Sequence, residues 1–437
     1  MALSTLYQHF SRKMQQLAPN GRLFVAFSGG LDSTVLLALC ARLAREQGRQ
    51  LVALHVHHGL QAAADAWPEH CGAVAGALGV PCRIIRVRVA GGPRISLEAA
   101  AREARYRALA AELRPGDALL TGHHQDDQAE TLLLALKRGA GVAGLAAMPA
   151  TRALGAGRQV RPLLGLSRRV LERFAREQGL RWVEDPSNAD TRFDRNFLRN
   201  EILPRLLAQW PSFNETASRS AELCAEQLAL ADELAGQDVP ALLNAADGIS
   251  ISGLQALAPA RRHNALRHWL QRHDIHCSRA QLTAVWQELA LARADATPLL
   301  RLGSKEIRRY QGCLYVPEQD GQPRPLANLA AGDWLELGVG RLRLYHAGAA
   351  QLSGRLDPAG LHIAFGVPGL RARPVGRAGS RPLKKLWQEY AVPPWQRERV
   401  PLLMEGERLV AAVGLFVVAE YAAPPGQSGW CLAWQPG

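Results

Sequence analysis

Two short strings concentrate the side chains that could do chemistry. In FVAFSGGLDSTVLLALC a β-rich run ends at Phe27, and Ser28, Gly29, Gly30, Leu31, Asp32 and Ser33 follow before a helical pattern of apolar residues. The glycines let backbone N–H groups approach anionic oxygens without a Cβ in the way, and Ser28 and Ser33 add hydroxyl donors. The helix start contributes roughly half a positive charge, so a phosphate is the expected guest. No lysine follows the glycines as in the G-x-x-x-x-G-K-[ST] loop, and the G-x-G-x-x-G spacing of a dinucleotide turn is also absent. The bland alternative is a Gly-rich turn at an ordinary helix start.

The second string, ALLTGHHQDDQAETLLLALKRG, again runs from a strand into a helix and carries His123, Asp126, Asp127 and Glu130. Asp127 and Glu130 are three apart and share a helix face. One or two acids there would merely complement the helix dipole, but a stretch beginning GHH fits a functional cluster better. Between the two lies SLEAAAREARYRAL, with Glu98, Arg102, Arg105 and Tyr106 at three- and four-residue intervals. Glu98 and Arg102 could equally form a surface i,i+4 pair. His55, His57 and His58 end a strand without a carboxylate or thiol at ligand spacing, so they read as histidines beside a nucleotide rather than a metal site.

The elements that must position these groups follow an alternating pattern. Strands are expected at Leu23 to Phe27, Leu51 to His57, Ile84 to Val89 and Ala118 to Thr121. Helices are expected at Ser33 to Glu46, Ala62 to Leu78, Ser96 to Leu113 and Asp126 to Lys137. Strand and crossover helix in alternation imply a doubly wound parallel α/β sheet, with chemistry beyond the carboxyl ends of the strands. Residues 1–205 form this first domain. From 206 to 322 the chain is Ala/Leu-rich and helical before the strand-like CLYVPE. From 323 to 437 Gly, Pro and Arg accompany alternating strands such as RLRLYH, giving a small β-rich α+β domain.

At 437 residues the chain is long enough for two or three domains, and 48% hydrophobic with 21% charged residues reads as globular. Lys and Arg outnumber Asp and Glu 52 to 39, a formal charge of +13, which favours a polyanionic partner. An Arg- and Ala-rich composition can also arise from coding bias, so charge alone does not establish RNA. The seven cysteines contain no CxxC pair, which argues against zinc, an iron–sulfur cluster or a redox couple. No secretory leader or eighteen-residue apolar run is present, so no membrane partner and a cytoplasmic location are expected. The sequence does not fix an oligomeric state.

The SGGLDS string resembles the signature of PP-loop ATP pyrophosphatases, a Rossmann-like fold that splits ATP between its α and β phosphates. LEAAAREARYRAL, TGHHQDDQAET, WVEDPSN and RNFLRNEILPRL are similar to segments found in this order in the tRNA(Ile)-lysidine synthase family. RPLKKLWQEYAVPPWQRERVPLLMEGERLVAAVG resembles the tail domain of its three-domain members, whereas the middle region matches only in being helical and basic. The resemblance implies a two-step ligation. ATP adenylates the C2 oxygen of the wobble cytidine of CAU-anticodon tRNA(Ile), and the ε-amine of free L-lysine then displaces AMP. ATP would be held by Ser28, Gly29, Gly30, Leu31, Asp32 and Ser33 with His123 nearby. Asp32, Arg105, Asp127 and Glu130 would serve cytidine activation and lysine handling, with their division of labour open. Mg2+ is expected to screen the triphosphate, with Asp32 or Asp127 near it.

Freeing a lysine amine with a pKa near 10.4 costs roughly 4–5 kcal/mol at neutral pH, which a carboxylate can offset by accepting the proton. Arg381, Lys384, Lys385 and Arg397, interleaved with Trp387, Tyr390 and Trp395, would grip tRNA phosphates. Arg195 and Arg199, with Asn196 and Asn200, either track the RNA backbone or cap and solvate a helix. Two competing readings remain: a PP-loop tRNA 2-thiolase, against which the unpaired cysteines argue, and a nucleotide-regulated RNA-binding protein without turnover.

Overall fold

A computed structural model describes residues 3–57, 59, 65–89, 97–293, 296, 298–317 and 321–437, leaving out the side chains of 3, 4 and 97–99. His58, the expected helix starts at Ala62 and Ser96, and the Glu98 side chain lie outside the described residues. The chain forms two compact units, Met1–Glu233 and Leu234–Gly437.

The first unit begins with helix α1 (Leu3–Leu17), then β1 (Leu23–Ala26), α2 (Leu31–Gln47), β2 (Leu51–His57), α3 (Trp67–Ala77) and β3 (Cys82–Arg86). It continues through α4 (Leu97–Ala111), β4 (Ala118–Leu120), α5 (Gln125–Lys137), α6 (Val142–Leu145), β5 (Thr151–Leu154), β6 (Gly157–Val160) and α7 (Arg168–Glu177). The sheet order is β3-β2-β1-β4-β6-β5. All neighbours are parallel except the edge pair β5–β6, which forms a hairpin. The four expected strands are present, the third of them starting and ending earlier than 84–89. The β5–β6 hairpin was not expected, because TRALGAGRQV offers neither an apolar run nor clean alternation.

The central strands β1 and β4 are buried on both faces, as a sheet covered on both sides requires, with successive side chains entering opposite cores. Leu23 and Val25 of β1 and Ala118 and Leu120 of β4 join a core filled by Phe10, Leu36, Leu39, Leu43, Leu171 and Phe174. Phe24 and Leu119 point the other way and pack with Leu54, Leu109 and Leu113. The chain runs β1 to β2 to β3 on one side and returns to β4 on the other. A topological switch point therefore lies between β1 and β4, where such sheets form their crevices.

After α7 the chain passes a 3₁₀ turn at Pro186–Ala189 and enters one continuous helical stretch. This comprises α8 (Asp194–Phe197), a widened π turn (Leu198–Ile202) and α9 (Leu203–Gln209). The widening has a local cause in Pro204, whose ring crowds the carbonyl one turn back and which offers no N–H. The Leu203 N–H reaches instead to the Leu198 carbonyl, five residues back. Helix α10 (Phe213–Leu242) carries the chain into the second unit.

In the second unit β7 (Ile249–Ser250), α11 (Ile251–Ala256), α12 (Pro259–Arg272), α13 (Arg279–Ala284) and a π turn (Val285–Ala290) come first. They pack around the buried Trp269 with β8 (Leu299–Leu302), β9 (Lys305–Tyr310) and β10 (Cys313–Tyr315), in the order β7-β10-β9-β8. The remainder is β-rich, as expected. β11 (Trp334–Glu336), β12 (Gly340–Ala347), β13 (Leu352–Ser353) and the final strand, Gly429–Pro436, form one sheet. A second sheet contains β14 (Leu361–Ala364), Leu402–Glu405, Arg408–Ala412 and Phe416–Val417. Between these lie the two-stranded pair Arg371–Ala372 and Arg381–Pro382 and the helix Leu383–Glu389, whose Leu386 and Trp387 enter a separate core. Among the described residues no helix is long and apolar enough to cross a membrane.

Candidate active site

The first strand ends at Ala26, and after Phe27 the backbone turns through Ser28, Gly29 and Gly30 into α2. Gly29 has φ +84°, a region that side chains rarely adopt, and a Cβ there would come within 3.0 Å of Cys71 Sγ and 3.3 Å of Val183 Cγ2. The Val183 N–H donates to the Gly29 carbonyl at 3.0 Å, so WVEDPSN supplies one wall of the turn. Ser33 Oγ donates to the Gly30 carbonyl at 3.0 Å and lies 3.0 Å from Ser28 Oγ, and Thr34 Oγ1 donates to the Gly30 carbonyl at 2.9 Å. No side chain caps the first turn of α2. Its N–H groups have no preceding helical carbonyl and are open to an anion.

Gly122 brings the second string against this turn. A Cβ at Gly122 would lie 2.9 Å from the carbonyl carbon of Asp32, 3.0 Å from its oxygen and 3.1 Å from the Ser33 nitrogen. Those are main-chain atoms that cannot swing aside, so only glycine permits the approach of the β4–α5 loop to the start of α2. The sequence string contained this glycine, but nothing in the pattern around it revealed its role.

His124 sits in the gap, 1% exposed. Its Nε2 is 3.5 Å from Asp32 Oδ2 and 3.5 Å from Asp127 Oδ2, and its Nδ1 is 3.9 Å from Asp126 Oδ1. Burial pulls the imidazole pKa down, but Asp127, Asp32 and Asp126 outweigh it and the net shift is upward. His124 thus sits buried between three carboxylates that favour its protonated form, a role that sequence reasoning did not assign. Its neighbour His123 has the opposite fate: burial lowers it to about 4, with nearby arginines reinforcing the effect, and it contacts Thr121 Oγ1 at 2.9 Å as a neutral ring.

The acids of α5 are buried and answered by cations from the later helix. Glu130 is 0% exposed. Arg199 donates from Nε to Glu130 Oε1 at 2.7 Å, and its second arm reaches Glu130 Oε2 at 3.0 Å and Asp127 Oδ1 at 2.9 Å. Arg195 lies 3.4 Å from Glu130 Oε2. Asp127 also accepts the His124 backbone N–H at 3.0 Å. Burial raises the Asp127 carboxyl, yet His124, Arg199 and that N–H prevail and hold it below the ordinary aspartate range. For Glu130 burial prevails, and its carboxyl rises above the ordinary glutamate value. One helix face therefore carries two acids whose proton affinities are driven apart.

Arg195 and Arg199 point inward onto these acids, with Arg199 on the π turn before Pro204. Asn196 donates to the carbonyls of Ser187 and Asp190 at 2.9 and 3.0 Å, and Asn200 donates to that of Asn188 at 2.9 Å, tying the helix to the 3₁₀ turn. Arg105 is exposed on α4 with its guanidinium 5.4 Å from the Tyr106 ring. Asp32 Oδ1 is buried without a hydrogen-bond partner. Unlike Asp127, whose two oxygens are both engaged, Asp32 thus has an oxygen to spare for a cation. Among the described residues no three His, Cys, Asp or Glu side chains gather to hold a metal by themselves.

In the second unit Lys384 and Lys385 are exposed on the helix Leu383–Glu389. Arg381 donates to Glu389 at 2.6 Å, and Arg397 donates to the Val392 carbonyl at 3.1 Å. Trp387 is buried, Tyr390 lies 5.1 Å from the Phe416 ring, and Trp395 lies 5.9 and 5.5 Å from Tyr310 and Tyr315. These aromatics pack against the protein. All seven cysteines are free, and Cys71 stands 3.3 Å from His55 Nδ1 behind the phosphate turn.

Three family profiles match the chain: a PP-loop domain over residues 6–206, a TilS substrate binding domain over 249–315 and a TilS substrate C-terminal domain over 361–434. Among curated proteins it is 45% identical over 428 residues to the tRNA(Ile)-lysidine synthase of Pectobacterium atrosepticum, covering 96% of each chain. It is 46% identical over 429 residues to that of Shigella flexneri, covering 96% of this chain and 98% of the relative. The corresponding Vibrio cholerae protein is 43% identical over 437 residues, covering 98% of each.

Gly122→Ala is expected to weaken ATP binding at least tenfold and to destabilise the fold by about 1–3 kcal/mol, the usual cost of overpacking. Gly76→Ala, where a Cβ would meet nothing within 4 Å, serves as the control and should leave both unchanged or slightly improved. Nucleotide titration and thermal melts check the pair.

Proposed function

The chain belongs to the tRNA(Ile)-lysidine synthase family, and from that premise we propose how its residues divide the work of joining free L-lysine to C2 of the wobble cytidine of CAU-anticodon tRNA(Ile). It is an ATP-dependent ligase. The cytidine C2 oxygen attacks the α-phosphorus of ATP and releases pyrophosphate. The lysine ε-amine then attacks C2, and AMP departs.

The observation that carries the assignment of roles is the junction at Gly122, where an open helix start meets a compensated set of buried acids. Ser28, Gly29, Gly30, Leu31 and Ser33 hold the pyrophosphate portion of ATP through backbone N–H and hydroxyl donors. Their fixed dipoles favour negative charge leaving toward them. Asp32, with its unpartnered Oδ1, is the carboxylate that suits Mg2+, which would otherwise be bound by phosphate oxygens and water. When bound, that ion neutralises triphosphate charge. His124 fixes the Asp32 and Asp127 carboxylates relative to one another. Neutral His123 stands ready to hydrogen-bond nucleotide or base without adding charge.

For lysine, the two α5 acids suit different tasks. Asp127, held ionised, favours recognition of the ammonium group. Glu130, with its raised proton affinity, is the better acceptor for the proton that must leave before attack. Arg199 bridges both acids, so charge at this point is balanced before lysine arrives. Arg105 supports cytidine activation from α4, and Lys384, Lys385, Arg381 and Arg397 grip tRNA phosphates in the C-terminal region. The reading includes a cytoplasmic location. It also includes three domains, at 1–205, 206–322 and 323–437, in keeping with the separate apolar clusters along the chain.

Purified protein is expected to attach labelled lysine to an unmodified CAU-anticodon tRNA(Ile) transcript with release of AMP and pyrophosphate. No incorporation, or incorporation of sulfur instead, would refute the activity. Asp32→Ala should abolish pyrophosphate release. Asp127→Asn and Glu130→Gln should retain tRNA-dependent pyrophosphate release while slowing lysine transfer by about 10²-fold or more. Asp127→Asn should show this chiefly as a higher KM for lysine, and Glu130→Gln as a lower rate. Loss of pyrophosphate release in both would remove the division of labour.

Lys384→Ala combined with Lys385→Ala is expected to weaken tRNA binding and reduce the slope of log K against log salt by about 1–2. An unchanged slope would remove both lysines from the interface.

A further inference from the structure

The first unit handles its arginines in two ways. Arg195 and Arg199 are neutralised by Glu130 and Asp127. Arg102, Arg105, Arg152 and Arg161 have no carboxylate within 4 Å among the described residues, although they converge from separate elements. Arg102 and Arg105 lie on α4, Arg152 on β5, and Arg161 directly after β6.

Their meeting point is Tyr106. The guanidinium carbons of Arg102, Arg105 and Arg152 lie 5.1, 5.4 and 5.2 Å from its ring centre. Arg152 Nε and Arg161 both donate to Gln159 Oε1, at 2.6 and 3.0 Å. The same glutamine donates through Nε2 to Thr121 Oγ1 at 2.9 Å and to the Tyr106 hydroxyl at 3.5 Å. Thr121 in turn contacts His123. A hydrogen-bonded path thus leads from Arg152 and Arg161 through Gln159 and Thr121 to His123, the residue beside Gly122.

Sheet topology explains the convergence. β1, β4 and β6 are parallel neighbours, so Phe27, Thr121 and Arg161 all emerge at the carboxyl edge. β5 runs the other way, opposing Arg152 to Gln159 at that same end.

Arg161 is 4% exposed, its Nε has no hydrogen-bond partner, and its other contacts are to Gln159 and, at 2.6 Å, the Pro149 carbonyl. Burial pulls its pKa down to about 10, and Arg152 adds to this. A buried guanidinium with an unsatisfied donor, among three like charges, is costly unless an anion arrives.

We infer that Arg102, Arg105, Arg152 and Arg161, organised by Tyr106 and Gln159, form an anion site for the RNA phosphodiesters flanking the cytidine to be modified. The inference rests on the lysidine-forming reading and deepens it. The phosphates of ATP already have a cradle at Ser28 to Ser33, and a lysine carboxylate brings one negative charge to four guanidiniums. An RNA strand entering this edge must bring a phosphodiester on each side of its target base, and Tyr106 and the planar guanidiniums suit a nucleotide. Seating those phosphates fixes where the C2 oxygen meets the α-phosphorus. It is a positioning site rather than a set of catalytic residues.

The test uses the full chain, the unmodified CAU-anticodon tRNA(Ile) transcript, ATP and lysine. Arg152 is exposed, so Arg152→Glu should fold. It is expected to raise the KM for tRNA about tenfold and to reduce the salt slope by about 1, leaving the KM for ATP and for lysine within about twofold. Arg161→Gln, compared with Arg161→Lys and checked by thermal melting, should show the same selective defect, partly rescued by lysine. A transcript with neutral methylphosphonates on both sides of the wobble cytidine should bind wild type more weakly and erase its advantage over Arg152→Glu. An unchanged tRNA KM and salt slope in Arg152→Glu would overturn the inference, as would a defect confined to the KM for lysine or for ATP. Wild-type protein that incorporates no lysine sinks the underlying activity instead, so the two failures are distinguishable.

Discussion

A carboxylate with no exposure to water must be compensated by the protein, and Glu130 is such a group. Water cannot supply the missing charge, so Arg199 and Arg195 must come from a helix more than sixty residues further along the chain. This demand fixes the path of the polypeptide after the sheet. The stretch from Asp194 to Gln209 has to present two guanidiniums to α5, and the widened turn before Pro204 lies where Arg199 does so. The turn at Pro186–Ala189 is then held to that helix by Asn196 and Asn200. Upstream, the Val183 N–H closes one wall of the Gly29–Gly30 turn. Charge compensation of one buried acid and the shape of the turn at Gly29 and Gly30 are thus linked through a single run of chain.

The same logic gives His124 its place. Three carboxylates facing one another across the switch point would repel, and they in turn raise the proton affinity of the imidazole between them. At the adjacent His123 burial, reinforced by Arg161, Arg195 and Arg102, outweighs Asp127 and drives the ring neutral. Two neighbouring histidines are therefore shifted in opposite directions: carboxylates outweigh burial at His124, whereas burial and arginines outweigh Asp127 at His123. The boundary between these fields runs along the carboxyl edge of the sheet, from acids near α2 and α5 to guanidiniums near β5 and β6. An amine and a polyanion can approach one edge from different sides without competing for the same groups.

In the second unit, charge and apolar packing are also segregated. Trp387, Tyr390 and Trp395 contribute to packing, whereas Lys384 and Lys385 remain exposed. The two lysines lie on a short helix whose Leu383, Leu386 and Trp387 enter an apolar core.

The sequence by itself determined the alternation of strands and helices, the position of the Gly29–Gly30 turn and the stretch of α5 that bears the acids. Each of these is written in local spacing: apolar period, a pair of glycines, acids three residues apart. It could not show that Gly122 touches Asp32, that Arg199 rather than water answers Glu130, or that Arg152 and Arg161 meet Tyr106. The β5–β6 hairpin also escaped it, because its residues are polar and its pairing is decided by the neighbouring β4. Such relations join residues tens of positions apart, and they exist only once parallel strands bring their carboxyl ends to one edge. Local propensity specifies the elements, but burial and charge balance across that edge decide which side chains face each other.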